Sequence, residues 1–177
     1  MSITWKIDPA HSEIQFKVKH LMITTVTGSF QKFEGEIVTD TDDFTTATSI
    51  RFTADVSSIN TNNEQRDQHL RSEDFFHAEK FSEISFTGTR YTSLKNDANV
   101  HGNLTIRGVT RPVTLDVEFG GIVVDPWGQT KAGFTITGKI SRKEFGLTWS
   151  AVTEAGSVVV SDEIKLLAEI QVVKQAS

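Results

Sequence analysis

The 177-residue chain has no cysteine. Disulfides, thiolate nucleophiles and thiolate metal sites are therefore excluded. Long apolar runs are missing too: the longest, such as Ile122 to Val124 and Val158 to Val160, extend only three or four residues. None could span a bilayer as a helix. No basic segment followed by an apolar stretch precedes the first alternating pattern at Met1 to Lys6, so no signal peptide is expected. The expected location is cytoplasmic, or periplasmic only if a leader has been removed. The formal net charge of -5 disfavours nucleic acid or an anionic membrane as a standing partner.

What is present is period-two alternation, the mark of strands with one wet and one apolar face. Ile14, Phe16 and Val18 alternate with Glu13, Gln15, Lys17 and Lys19. Further runs lie at 28–40, around Ile50 to Val56, from Ile84, at Val100 to Ile106, at Val113 to Phe119, at Ala132 to Ile140, and from Ile164 to Val172. Eight such runs predict an all-β, eight-stranded antiparallel barrel, because closure removes both sheet edges. Turns are expected at Asp8-Pro9, Asn96-Asp97, Gly108 to Pro112, Pro126 to Gly128 and Ala155-Gly156. No linker or repeat divides 1–177, so one domain is expected.

One or two short helices break the rhythm. Thr61 and Glu64 have capping-box spacing, which predicts a helix over Asn62 to Leu70 and a further turn at Ser72 to Phe76. A weaker helical turn is expected at Ser141 to Phe145. Within the first helix, Asp67 and Arg71 are spaced for an i,i+4 ion pair.

The apolar registers contain an irregularity. Gly35, Gly88, Gly102 and Gly138 occupy inward positions where bulky residues would fill a small barrel. Such glycines either leave volume vacant for a ligand or let the strands bend, and the pattern alone favours neither. Strands of ~11 residues, tilted by ~40°, would give a barrel ~28 Å long. That length suits an extended ligand better than a disc.

Several ordered blocks go beyond pattern. These are WKIDPAHSEIQFKVKHL (Trp5 to Leu21), RDQHLRSEDFF (Arg66 to Phe76), GNLTIRGVTRPVTL (Gly102 to Leu115), GFTITGKISRKEFGLTW (Gly133 to Trp149) and VSDEIKLLAEI (Val160 to Ile170). In this order the chain closely resembles the YceI-like family of polyisoprenoid-binding proteins. The resemblance implies a lipocalin-like barrel with a long apolar tunnel, a bound isoprenoid or other long-chain amphiphile, and a homodimer as a plausible assembly. Many members are exported behind a signal peptide, and this sequence departs from them by showing none.

Candidate tunnel-lining residues are Phe16, Val18, Phe52, Phe86, Gly88, Gly102, Leu104, Phe119, Phe134, Ile136 and Trp149. Arg66 and His69 are candidates to receive a polar head group, provided the helix lies over the tunnel. His11, His20, His69, His77 and His101 show no metal-ligand spacing, so no metal site is assigned. There is no Gly-x-Ser-x-Gly elbow and no phosphate-cradling loop, so neither catalytic residues nor a cofactor are assigned. The leading expectation is a carrier or store for a polyisoprenoid, an isoprenoid-quinone precursor or a fatty-acid derivative. The alternatives are a lipid-modifying enzyme in isoprenoid-quinone metabolism and a filled-barrel, stress-related interaction module.

Overall fold

A computed structural model describes residues 2–94, 97–149 and 160–176. The alternating runs become strands β1 (Ile3–Ile7), β2 (Glu13–His20), β3 (Thr24–Phe30), β4 (Phe33–Thr39), β5 (Ala47–Asp55) and β6 (Ile59–Asn60). They continue as β7 (Glu83–Leu94), β8 (Asp97–Ile106), β9 (Val109–Val124), β10 (Thr130–Ser141) and β11 (Glu163–Lys174). Hydrogen bonding runs β1-β4-β5-β7-β8-β9-β10-β11, and β11 returns to β1, closing an eight-stranded antiparallel barrel. Among the eight expected runs, each corresponds to one stave of this barrel.

The first three staves are broken in two. β11 pairs with β1 through Val172 to Lys174 and with β2 through Lys165 to Glu169, so β1 and β2 are successive halves of one stave. The break falls at Pro9, whose ring removes a ladder donor. The Asp8 carboxylate accepts from the Ala10 amide at 3.0 Å, opening a 3₁₀ turn over Pro9–His11. Ser12 then restores contact, its hydroxyl accepting from the Gln171 amide at 3.0 Å. β3 and β4 form the second broken stave, and β5 and β6 the third. Where those two breaks meet, the Lys32 amide donates to the Ser58 hydroxyl at 3.0 Å. β7 to β11 run on without such breaks.

One end of the barrel is closed by a packed floor. The Trp5 indole N–H donates to the Thr39 hydroxyl at 3.0 Å, and both residues are fully buried. A 3₁₀ turn at Phe44–Thr46 drives Phe44 inward, with ring centroids 4.8 Å from Trp5 and 4.9 Å from Phe134. At the other end lie α1 (Glu64–Arg71) and the turns that follow it to Phe81.

Two expectations about this cap are corrected. Helix α1 is capped by Asn63, whose side chain accepts from the Arg66 amide at 3.0 Å, and not by Thr61. Asp67 does not pair with Arg71; its Oδ1 accepts from the Thr61 amide at 2.9 Å and the Thr61 hydroxyl at 2.6 Å. Thr61 is thus drawn out of the capping position by a buried carboxylate. Arg71 instead approaches Glu64 at 3.5 Å. Residues Ser72 to Phe76 form the further hydrogen-bonded turns expected there. The turn expected at Ser141 to Phe145 is a 3₁₀ segment over Arg142–Phe145, ended by Gly146 at φ 78°. Of the expected turns, Ala155-Gly156 and Asn96 lie outside the described residues.

Candidate ligand-binding site

The inward faces of the staves enclose a cavity of about 270 Å³. That exceeds the ~150 Å³ that suffices to hold benzene in a dry protein interior, and it approaches the volume of small-molecule pockets. The cavity extends from Phe44, Tyr91 and Phe134 near the floor to Val18, Phe75 and Val160 at the opposite end. Its wall is almost entirely apolar, which follows from the inward register of the alternating runs.

Seven of the expected lining residues face this space: Phe16, Val18, Phe52, Phe86, Leu104, Phe134 and Ile136. Four do not line it, each for its own reason. Phe119 sits where β9 leaves the barrel, stacks on Phe44 and Phe134 at 5.8 and 5.3 Å, and is 44% exposed. Trp149 packs behind Phe75 at 5.2 Å and against His69 at 4.9 Å. Gly88 and Gly102 are covered by neighbouring side chains.

That cover explains the inward glycines. A Cβ on Gly88 would lie 2.6 Å from the Ile50 Cβ, and one on Gly102 would lie 2.6 Å from the Phe86 ring. Gly28 is likewise overlaid by Phe16, Gly35 by Ile7, and Gly138 by Leu115. Each glycine is a seat on which a bulky neighbour lies flat against the wall. A Cβ at these seats would collide with the neighbour lying over it, so the lining depends on pairs of residues, one missing a side chain and one packed over it. Vacancy and bending were the two readings open from sequence, and close approach is what the structure adds.

The candidate head-group residues are engaged elsewhere. Arg66 turns back on the loop before α1, its Nε donating to the Thr61 hydroxyl at 2.7 Å and its Nη2 to the Thr61 carbonyl at 2.6 Å. His69 meets Asp74 at 2.9 Å. Neither side chain reaches the cavity. Their dense charge spacing reflects a helix tied to its own flanks.

Sequence reasoning passed over Arg142, the one buried guanidinium among the described residues. It is 2% exposed and lies at the cavity's edge. Its Nε donates to the Ser161 carbonyl at 2.9 Å, Nη1 to the carbonyls of Leu147 and Trp149 at 2.7 and 2.6 Å, and Nη2 to that of Val160 at 3.2 Å. Burial pushes its pKa down, and the nearby Asp162 charge opposes that shift. The only hint in the sequence was a charged residue directly after an alternating run ending at Ser141. Phe44, Phe75 and Phe76, carried on turns outside any strand period, gave no signal at all.

Among the described residues no helix is long and apolar enough to cross a membrane, and no cluster of three metal-ligating side chains is found. Near the floor, burial pushes the Tyr91 phenol up, helped by the charge of Asp43.

Comparison with known proteins agrees with this architecture. Residues 5–172 match the YceI-like domain. A UPF0312 protein of Staphylococcus aureus (strain USA300) is 39% identical over 167 residues, covering 93% of this chain and 94% of its own. A Campylobacter jejuni YCEI protein superposes with a TM-score of 0.76 at 32% identity, covering 89% of this chain and 90% of that one. A polyisoprenoid binding domain from Saccharophagus degradans shares the fold, with a TM-score of 0.72 at 16% identity over 97% of this chain and 98% of its own.

Proposed function

This chain belongs to the YceI-like domain family, and from that premise we propose that its barrel carries or stores a long-chain apolar or amphiphilic molecule. The candidates are a polyisoprenoid, an isoprenoid-quinone precursor and a fatty-acid derivative. The observation that carries this reading is the apolar cavity of about 270 Å³, lined in part by side chains packed over glycines. A filled-barrel module would need an interior packed from end to end, which is at odds with that space.

In this reading no bond is made or broken, and affinity comes from apolar burial. Each methylene moved out of water contributes ~0.8 kcal/mol, or about four-fold in affinity. Chain length should therefore govern binding up to the length of the tunnel. Organic extraction of the purified protein followed by mass spectrometry tests the proposal directly. A co-purified long-chain amphiphile is expected. An empty extract, with no uptake of prenyl or long acyl chains, would overturn it.

A further inference from the structure

Beyond Val18 the β2–β3 hairpin projects from the barrel, closed by the pairs Lys19 with Thr25 and His20 with Thr24. The Ile23 amide donates to the His20 carbonyl at 3.1 Å, making a tight turn whose two central residues, Leu21 and Met22, have φ of 53° and 58°. Such a turn favours glycine and asparagine, because a larger side chain is strained at positive φ. The tip nevertheless carries Leu-Met-Ile, with Met22 59% and Ile23 76% exposed. The strained turn thus holds apolar side chains in solvent.

The flank of the hairpin has the complementary charge. On the outer face Lys17 lies opposite Lys165, and Lys165 lies opposite Lys139. Like charges placed directly across strands are unfavourable, and here three stand in a row. Lys19 follows Lys17 toward the tip. Glu163 approaches Lys139 at 3.6 Å, while Lys17, Lys19 and Lys165 have no ion-pair partner among the described residues. The chain as a whole is negative, at -5, so this stripe opposes the overall charge. It also lies beside an end of the cavity: Val18 lines the space, and His20 bridges to Val160, which lines it too.

We propose that this hairpin docks the protein on an anionic lipid bilayer. Met22 and Ile23 enter the interfacial layer, and Lys17, Lys19 and Lys165 lie over the phosphates. Docking brings the neighbouring end of the cavity against the lipid. Resting on the carrier reading above, this gives the ligand a dry route between membrane and barrel. The β9–β10 hairpin also exposes apolar residues, Val123, Val124 and Trp127, but the lysine beside its tip, Lys131, is paired with Asp125 at 3.1 Å, so it lacks such a cationic flank.

The test is flotation of the purified protein with vesicles of phosphatidylcholine, alone or mixed with phosphatidylglycerol. Binding to the mixed vesicles is expected, with loss in the Met22→Asp/Ile23→Asp double variant. Lys17→Gln and Lys165→Gln should each weaken binding about five-fold. Met22→Gly guards against a folding artefact, since it should raise the melting temperature while weakening vesicle binding. Three results would overturn the proposal: no flotation, flotation indifferent to these substitutions, or a dimer that dissociates on Met22→Asp, which would assign the tip to a second copy. Extraction run on the same samples separates the two readings. A protein that floats but yields no amphiphile keeps the docking surface and loses the carrier role.

Discussion

At the floor of the barrel Trp5, Thr39, Phe44 and Val172 pack with almost no exposed surface, whereas the opposite end is assembled from a short helix and several turns. The floor is held by ring contacts and one indole hydrogen bond across the ends of neighbouring staves. The far end is held by polar hubs: Asp67 gathers Thr61, and Arg142 gathers four carbonyls. The difference teaches that packed rings shut one end of the cavity, while turns and polar hubs border the other. Packed rings resist opening because any gap forfeits many contacts at once. A cap made of turns has fewer such contacts to lose.

The largest expected effect comes from breaking the floor. Trp5→Ala removes a fully buried ring and should cost ~3–5 kcal/mol in urea denaturation. A loss below ~1 kcal/mol would mean that the floor is not the packed end. At the far end, Arg142→Met strips the donors from four carbonyls and should cost ~3 kcal/mol by the same measurement. Asp67→Ala leaves Thr61 without its acceptor and should cost ~2 kcal/mol, with a shift in the helical circular dichroism signal.

A substitution between the ends tests the space itself. Ala168 lines the cavity beside Ile136 and Ile14. Ala168→Phe should displace at least two methylenes of ligand and weaken long-chain binding at least ~10-fold in a displacement titration, with the fold retained. Unchanged affinity would place the ligand elsewhere.

The smallest effect is acid sensitivity at the far end. Burial raises the Asp162 pKa, but the Ser141 hydroxyl and the Lys143 amide hydrogen-bond its carboxylate. With the charges of Lys143 and Arg142 they hold it below its ordinary value of 3.8. A pKa lowered by folding contributes stability above the unfolded value, and that contribution is lost as pH falls through the folded one. Thermal melting should therefore drop more steeply below about pH 4 in the native protein than in Asp162→Asn.

Strand identity and the inward face were legible in the sequence, since Phe16, Phe52, Leu104 and Ile136 each followed their period to the wall of the cavity. Gly88 and Gly102 were legible as anomalies but not as seats, because the side chains above them, Ile50 and Phe86, belong to neighbouring strands. Arg66 and His69 were legible as a charged cluster, yet the direction in which they point depended on Thr61 and Asp74. Phe44 and Arg142 were not legible, because neither lies in a strand whose period could assign it a face.

Alternation by itself determined an antiparallel sheet with one apolar side, and eight runs sufficed to close it, since successive side chains on a strand must face opposite ways. Only the tertiary structure decided that the interior stays open, that Trp5 and Phe44 shut one end, and that Met22 and Ile23 stand out at the other. Those outcomes depend on which residue of a distant strand falls opposite which. That register is set by closure of the whole ring and leaves no trace in local spacing.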